Sequence, residues 1–452
     1  MHHNSNINPN NTIMKNIVRT LFLALIVAST PLLLSAQHGQ YVGGDISLLP
    51  SYERHNRPYL DGNDQPISDL ITWLRDECGW NTFRVRIFVH PDPNFGLRHY
   101  SSTVEKTDPA ICQDLNYVKQ LGKRIKDAGC NFVLDFHYSD FWVDAGKILP
   151  PEAWIGKADD VMADSVATYT RMVLDELNAY GATPDMVQVG NEIMYGLCGI
   201  QVHPYAYATD NWDGYLGLLI AGCNAVREKC PDAKIIIHTD RMSNNDYNNF
   251  YYNKLIEGGV DFDIIGLSYY PFWHGFLSDF RRGLTNLKNH FPDKKVQIVE
   301  TGYYYQYWPS SGINYNTQTL WPATTDGQYK CIHDIIECLK NFEQVDGLYY
   351  WFPEDAGNGD DTNWQTSVGT VTNGWTNRGL WDPNKISAGH RPIKKSNGDM
   401  AHYLFRAFLE NGGTAIENPQ TQQPKATKFL QNGQLLIRRG ENTFTPTGQQ
   451  LK

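Results

Sequence analysis

Two glutamates directly follow apolar runs and are the first candidates for chemistry. Glu192 comes after the run VQVG (187–190) and Asn191, and Glu300 ends the run VQIV (296–299). Two carboxylates that flank one point are what hydrolysis of a glycosidic bond requires, because one protonates the leaving oxygen while the other attacks the anomeric carbon or activates water. The alternative for either residue alone is an ion-paired carboxylate at a rim, and it is less favoured for both together.

Short β-rich runs alternate with amphipathic helical stretches from residue 40 to about residue 415, which predicts the elements that must position the two glutamates. The predicted strands are Tyr41–Ser47, Asn81–Val89, Cys130–Phe136, Met186–Gly190, Lys234–His238, Phe262–Ser268, Val296–Glu300 and Gly347–Trp351. Helical patterns such as Asp114–Ala128 and Asp159–Tyr180 lie between them, and a final one covers Asp399–Leu409.

This alternation predicts an α/β protein with a (β/α)₈ TIM barrel, in which residues after the strands line one mouth. An open doubly wound sheet is the alternative, but it usually has a glycine-rich turn after its first strand, and the sequence has none there. In a barrel, the fourth and seventh strands lie nearly opposite each other. Glu192 and Glu300 would then reach opposite sides of a bound sugar.

Composition narrows the partners. The chain has 452 residues, of which 41% are hydrophobic and 19% charged, so it can bury a core. A net charge of −10 disfavours nucleic acid and anionic membrane surfaces, which need clustered Lys and Arg. Aromatic residues make up 13%, a content that suits sugar binding as well as a large core.

The two ends of the chain read differently from its centre. Basic residues at 15 and 19, an apolar run at 21–28 and the sequence LSA (34–36) predict a signal peptide over 1–36, with 1–13 as an upstream extension. The barrel is predicted over 37–416, and the protein is predicted to be secreted, periplasmic or at the cell surface. Residues 417–452 are predicted to form a polar linker and a hairpin of Lys428–Ile437 and Thr443–Gly448, either a sorting signal or a hairpin docked on the barrel.

The eight cysteines do not indicate a disulfide scaffold. They are spread over the chain without any C-x-x-C pair, which makes a structural zinc site improbable. We predict that most of them are buried thiols.

Longer motifs carry a specific resemblance. They are GGDISLLPSYE (43–53), NTFRVRIFVHP (81–91), DFHYSDFWVDAGKILPPEAW (135–154), VQVGNEIMYG (187–196), GLSYYPFWHG (266–275), VETGYY (299–304) and NRGLWDP (377–383). In this order they resemble the clan A glycoside hydrolases of family 53, the endo-β-1,4-galactanases, over about residues 40–385. The resemblance implies a retaining double displacement with Glu192 as acid/base and Glu300 as nucleophile.

The same resemblance implies roles for neighbouring side chains. Asn191 is expected to bond the sugar 2-hydroxyl, Tyr269 to bond the nucleophile, and His137 and His274 to contact sugar hydroxyls or the acid/base. Arg84 and Arg86 share one face of their strand by alternation. We expect Arg86, which is nearer the strand end, to hold the nucleophile charged, and Arg84 to be a buried ion-pair partner.

Further candidates follow the strands. Asp45 and Asp144 are candidates for binding hydroxyls, with a helix cap or turn as the alternative. Trp351 is the expected sugar-stacking floor and Trp142 a flanking site, with Trp273, Trp308 and Trp381 as weaker candidates. Asp355, Asp360 and Asp361 have oxygen ligands that suit calcium, but a solvated loop is the favoured interpretation, and no cofactor is expected to be required.

These observations predict a secreted, monomeric endo-β-1,4-galactanase that acts on galactan, the neutral side chain of pectin. A clan A hydrolase of mannan, xylan or an arabinogalactan is the alternative within the same machinery. A non-catalytic glycan-binding protein on the same fold is the alternative from another class, but a pure binder does not need the glutamate pair.

Overall fold

A computed structural model describes residues 40–55, 58–102, 107–205, 207–306, 313–356, 376–383 and 387–409, together with the backbone of four short strands between 427 and 451. The chain divides into two compact units, residues 1–409 and 410–452. Each unit is described by itself.

The first unit is a closed barrel of eight parallel strands, which confirms the predicted fold. In chain order we label them β1 to β8: Tyr41–Asp45, Thr82–Ile87, Asn131–Phe136, Met186–Val189, Lys234–Thr239, Ile264–Tyr269, Lys295–Thr301 and Val345–Trp351. Each strand pairs with its neighbours in sequence, and β1 closes the barrel against β8. Every predicted strand begins and ends within two residues of the observed one.

Helices connect the strands around the outside. The principal ones are Leu70–Cys78, Leu115–Asp127, Asp159–Tyr180, Trp212–Lys229, Asn245–Glu257, Leu277–His290 and Thr325–Leu339. Side-chain caps define several starts: Asp114, for example, accepts a hydrogen bond from the backbone N–H of Tyr117. The predicted last helix is a 3₁₀ turn, Ala401–Phe405, followed by one α-helical turn, Arg406–Leu409.

The barrel interior has two kinds of layer. The lower part of the barrel is filled by apolar side chains that form one buried cluster: Val133, Met186, Ile236, Ile264, Val299 and Tyr349. Above it, towards the C-terminal ends of the strands, polar side chains point inward. They are Asp45, Arg84, Arg86, Asp135, Gln188, His238, Ser268 and Glu300, each of them buried. This polar layer is the floor of the barrel mouth.

The second unit contains four antiparallel strands, Thr427–Gln431, Gln434–Arg439, Asn442–Phe444 and Gln450–Leu451. We predicted one strand over 428–437, and the structure divides it in two. Gln431 pairs with Gln434, and the two residues between them in the sequence are Asn-Gly. This dipeptide is strongly favoured in two-residue hairpin connections, so the break was readable from the sequence.

All eight cysteines lie in the described part of the chain and are unpaired, and every one except Cys112 is buried. This confirms the prediction of buried thiols. Among the described residues, no helix is both long and apolar enough to cross a membrane.

Candidate active site

Glu192 stands on a tight exit from β4. Gly190 has φ +89° and Glu192 itself φ 48° and ψ 46°, a left-handed conformation that few residues other than glycine adopt. The turn brings the partly buried Glu192 side chain over the mouth, where the hydroxyl of Ser268 donates to its Oε1 at 2.6 Å. Burial, the Glu300 carboxylate and Asp240 raise the pKa of Glu192 well above its usual value.

Glu300 reaches the mouth through a bulge in β7. Leu267 of β6 pairs with Ile298, but the next residue, Ser268, pairs with Glu300, so one residue of β7 is skipped. Val299 already points into the barrel, and the extra residue lets Glu300 point inward as well. Its Oε1 lies 3.1 Å from Nη1 of Arg84, and its Oε2 accepts a hydrogen bond from the hydroxyl of Tyr270 at 3.0 Å.

Arg84 forms the central ion pairs of the polar layer, including the one with Glu300 that the sequence analysis assigned to Arg86. Besides Glu300 it bonds Asp45 (Nη1 to Oδ2, 2.8 Å) and Asp135 (Nη2 to Oδ2, 2.8 Å), and Nη2 also donates to Oδ1 of Asn191 at 2.7 Å. We expected Arg86 to hold Glu300. Arg84 lies two residues further from the mouth than Arg86, but a guanidinium extends several ångströms beyond its Cα. The Arg84 side chain therefore reaches the Glu300 carboxylate.

Arg86 instead lies against aromatic rings. Its guanidinium carbon is 4.4 Å from the centroid of the Trp142 ring and 4.8 Å from that of Phe352, distances typical of cation–π contacts. Its one ion-pair contact in the described structure is with Oδ1 of Asp45, at 3.4 Å. Nε and Nη2 are buried and have no hydrogen-bond partner among the described residues.

The tyrosine that bonds Glu300 is Tyr270, not Tyr269. Side chains alternate along β6, so Ser268 and Tyr270 point into the mouth while Tyr269 points outward, where it stacks on Phe280 at 3.8 Å. The hydroxyl of Tyr269 donates to the carbonyl of Gly275. His274 accepts the backbone N–H of Tyr270 at 3.0 Å and positions that residue, and burial lowers the pKa of His274 to about 3, so its ring is neutral.

His238 of β5 is a site residue that the sequence analysis missed. Its Nε2 lies 2.9 Å from Oγ of Ser268, and its Nδ1 lies 3.0 Å from Oδ1 of Asn191 and 3.3 Å from the backbone N–H of Glu192. Burial lowers the pKa of His238 well below its usual value, so the ring is neutral. The available signal was the position of a polar histidine at the end of the apolar run KIIIHT (234–239), where a barrel strand meets the mouth.

His137, Asp45 and Asn191 hold the floor in place. Nδ1 of His137 accepts the N–H of Val143 at 2.9 Å, and Nε2 lies 3.2 Å from Oδ2 of Asp135. Asp45 is fully buried, and both of its oxygens bond within the protein. Both ring nitrogens of His137 and both carboxylate oxygens of Asp45 therefore have partners within the protein, and their contacts with sugar hydroxyls remain predictions. Nδ2 of Asn191 donates to the carbonyl of Val143 at 2.8 Å.

A sequence model of the family described as "Glycosyl hydrolase family 53" matches residues 41–388. The chain belongs to glycosyl hydrolase family 53. It is 30% identical to "Endo-beta-1,4-galactanase" of Bacillus subtilis, covering 69% of each chain, and 31% identical to "Arabinogalactan endo-beta-1,4-galactanase A" of Emericella nidulans, covering 71% of this chain and 87% of that one.

Solved structures of the family agree. The family 53 catalytic domain of Ignisphaera aggregans is 27% identical with a TM-score of 0.63, and the match covers 84% of this chain and 98% of that one. A structure from a study of two fungal β-1,4-galactanases gives 26% identity and the same TM-score, with 81% and 98% covered. The chain is therefore an enzyme of the glycoside hydrolase class.

Aromatic side chains of this family 53 enzyme line one flank of the mouth. Trp351 at the end of β8 stacks on Phe352 at 3.6 Å, and its ring lies 6.3 Å from that of Trp142. Nε1 of Trp142 donates to Asp108 at 2.7 Å, which holds the indole. Trp273 is partly buried beside Tyr270. Other candidates behave differently: Trp381 is fully buried core, and Trp308 lies outside the described residues.

The four other aspartates that the sequence suggested for binding hydroxyls or calcium lie in different surroundings. Asp144 accepts hydrogen bonds from the backbone of Gly146 and from Lys147, and its charge is one of those that raise the pKa of Glu192. Asp355 is fully buried and accepts the hydroxyl of Tyr52 at 3.1 Å. Asp360 and Asp361 lie outside the described residues. Within the described ranges no group of three or more His, Cys, Asp or Glu is arranged to hold a metal ion.

The two glutamates of this family 53 enzyme differ in electrostatic support. Burial raises the pKa of Glu300 to about 7, and Asp45 and Asp135 add to the rise, while the guanidinium of Arg84 and the Tyr270 hydroxyl oppose it. Glu192 accepts the Ser268 hydroxyl but forms no ion pair within the described part of the chain, and burial raises its pKa well above its usual value. The ion pair with Arg84 therefore stabilises the ionised form of Glu300 in a way that has no counterpart at Glu192 among the described residues.

Proposed function

We propose that this family 53 enzyme is a retaining endo-β-1,4-galactanase. The observation that carries the proposal is the pair Glu192 and Glu300, because the two share one mouth and, among the described residues, only Glu300 of the two is ion-paired there, with Arg84. The names of the relatives from Bacillus subtilis and Emericella nidulans support the substrate and the bond.

In the proposed first step, Glu300 attacks the anomeric carbon while Glu192 donates its proton to the leaving oxygen. Arg84 and Tyr270 favour the ionised form of Glu300 and orient it, since both place donors on its oxygens. In the second step, Glu192 takes a proton from a water molecule whose oxygen attacks the anomeric carbon, and the bond from that carbon to the Glu300 oxygen breaks, which frees the sugar and regenerates the Glu300 carboxylate. Glu192 is acid and then base, as microscopic reversibility requires.

Asn191 is proposed to bond the sugar 2-hydroxyl. Its Oδ1 is occupied by Arg84 and one of its two amide hydrogens by the carbonyl of Val143. The second amide hydrogen remains for a sugar hydroxyl. Trp351 and Trp142 are proposed to contact sugar faces, because both are partly exposed at the mouth.

We further propose that the enzyme is exported from the cytoplasm and that it is a monomer. Its proposed substrate is the galactan side chains of pectin, and it is proposed to need no cofactor. The support for export is the signal-like sequence over 1–36. N-terminal sequencing of the protein recovered outside the cytoplasm should begin at Gln37. Activity after dialysis against EDTA should equal activity with added calcium; a loss restored by calcium would contradict the cofactor proposal.

The deciding experiment measures reducing-sugar release from linear β-1,4-galactan, mannan and xylan, with product sizing over time. Rapid formation of short oligosaccharides from galactan is the expected result. Hydrolysis of another polymer instead would retain the two glutamates and reject the substrate. Binding of galactan without hydrolysis of any polymer would favour the glycan-binding alternative.

A further inference from the structure

An exposed aromatic patch lies on the side of the mouth that carries Glu192. Its members come from the segments after β4 and β5: Tyr195, His203, Tyr205, Tyr207 and Tyr247. Ring centroids are 4.5 Å apart for His203 and Tyr207, 4.8 Å for Tyr205 and Tyr207, and 5.0 Å for Tyr205 and Tyr247. Tyr205 is 37% and Tyr207 49% exposed. The rings therefore form one surface that is open to solvent.

The patch is continuous with the acid. Tyr195 follows Glu192 by three residues, its ring lies 6.2 Å from that of His203, and the guanidinium of Arg241 lies 5.2 Å from its centroid. The Glu192 carboxylate is among the charges that raise the pKa of Arg241, so the guanidinium that lies against Tyr195 is also near the acid.

A polar group next to this path lacks a partner. Asp240, which directly follows β5, is 6% exposed, and its Oδ1 has no hydrogen-bond partner among the described residues. Its other oxygen lies 3.2 Å from Nε of Arg241. Its charge raises the pKa of Glu192, which puts the carboxylate near the acid. A buried acceptor without a donor costs free energy unless a ligand supplies one, and a sugar hydroxyl does so.

We propose that this patch, together with Asp240, binds the sugar units on the leaving-group side of the cleaved bond. The inference rests on the proposed function, because Glu192 is the acid there. The acid protonates the leaving oxygen, so the sugars that depart lie on its side of the cleavage point and away from Glu300. Tyrosine rings offer flat apolar faces beside hydroxyls, which match the apolar faces and hydroxyl rims of sugars.

The segment that carries the exposed rings is anchored rather than loose. Oδ1 of Asp210 bonds Nδ1 of His203 at 2.6 Å, and its Oδ2 accepts the backbone N–H of Tyr207 at 3.2 Å. Holding the rings in place before binding lowers the ordering cost of binding a flexible chain.

The test compares two substrates. Linear β-1,4-galactan extends across the patch, whereas 4-nitrophenyl β-1,4-galactotrioside places only nitrophenol on the leaving side. For the double variant Tyr205→Ala, Tyr207→Ala we expect kcat/KM on galactan to fall by about five- to tenfold. The value on the aryl glycoside should change by less than about twofold. Tyr205→Phe, Tyr207→Phe, which retains the rings, should stay near the unaltered enzyme on both.

Tyr180→Ala is the matched control, because Tyr180 is 43% exposed but lies at the end of the helix that leads into β4, on the opposite face of the barrel. An equal loss on both substrates, an equal loss in the control, or no loss on galactan would overturn the leaving-side assignment while leaving the proposed function intact. Failure of the unaltered enzyme to hydrolyse galactan would overturn the proposed function and this inference with it.

Discussion

Ser268 and Tyr270 are two residues apart at the end of β6, and their hydroxyls donate to different glutamates. Ser268 bonds Oε1 of Glu192 at 2.6 Å, and Tyr270 bonds Oε2 of Glu300 at 3.0 Å. The strand period of two places both side chains on the inner face, so one strand supports both carboxylates. Because each hydroxyl stabilises the ionised form of its own partner, the pair provides separate control over the two protonation equilibria.

Ser268→Ala should move the alkaline limb of the pH profile to higher pH. In the proposed mechanism Glu192 is protonated in the active enzyme, so the alkaline limb of kcat/KM marks the loss of that proton. The Ser268 hydroxyl lowers the pKa of Glu192 by bonding the ionised carboxylate, so its removal raises that pKa. The kcat/KM profile on galactan measures the shift; an unmoved or lowered alkaline limb would contradict it.

Tyr270→Phe should move the opposite limb. In the proposed mechanism the acid limb marks protonation of Glu300, whose pKa burial raises to about 7 and the Tyr270 hydroxyl lowers. Removing the hydroxyl raises that pKa, so the acid limb shifts to higher pH and the profile narrows, whereas Ser268→Ala broadens it. Tyr269→Phe is the matched control, since its hydroxyl bonds Gly275 and should leave both limbs in place.

Substitution of the two glutamates should give distinct chemical signatures. Glu300→Ala is expected to abolish hydrolysis, and azide should restore part of it by entering the vacated space and giving the glycosyl azide of inverted configuration. Glycosidic product stereochemistry by NMR is the measurement. Rates close to those of the unaltered enzyme would remove Glu300 from the nucleophile position.

Glu192→Ala should depend on the leaving group. A nitrophenolate needs little protonation, so the first step on an aryl galactotrioside should stay fast while hydrolysis of galactan is lost. Burst kinetics on the aryl substrate separate the two steps. Equal losses on both substrates would argue against an acid role for Glu192.

Arg84→Gln should lower both stability and activity more than Arg86→Gln does. Arg84 is fully buried with Asp45, Asp135 and Glu300, so its loss leaves uncompensated carboxylates, and we expect a loss of about 3–5 kcal/mol in the free energy of unfolding together with most of the activity. Arg86 touches only Asp45 among these groups, at 3.4 Å, and should cost less of both. Denaturant unfolding and kcat/KM together check the contrast; a larger loss from Arg86→Gln would reverse the assignment.

The barrel and the two glutamates were predictable from sequence because they depend on local patterns. Apolar runs at regular spacing identify the strands, and polar residues directly after them identify the mouth. Strand alternation also indicated correctly that Arg84 and Arg86 share a face. These features need no knowledge of how distant segments meet.

The errors came from geometry that local patterns do not contain. Whether Arg84 or Arg86 contacts Glu300 depends on how far each guanidinium extends from its strand towards the mouth, which the sequence does not show. The resemblance pointed to Tyr269, and only the observed phase of the strand shows that its neighbour Tyr270 is the tyrosine that points inward. The bulge in β7 aligns Glu300 with Ser268. No glycine in the sequence of β7 indicates a bulge, and only the observed pairing of β7 with β6 shows it.

Gly190→Ala should damage the site from the backbone. Gly190 has φ +89°, and a Cβ there would lie 2.6 Å from Cγ2 of Ile193, next to the turn that aims Glu192. The left-handed conformation alone costs a residue with a side chain about 1–2 kcal/mol. The contact adds to this cost and displaces the acid, so kcat/KM on galactan should fall as well.

Gly129→Ala is the control, because Gly129 has φ +71° but nothing within 4 Å of a Cβ. It should show the backbone cost in thermal unfolding with unchanged activity. Equal effects of the two substitutions on kcat/KM would show that the exit turn of β4 does not position Glu192.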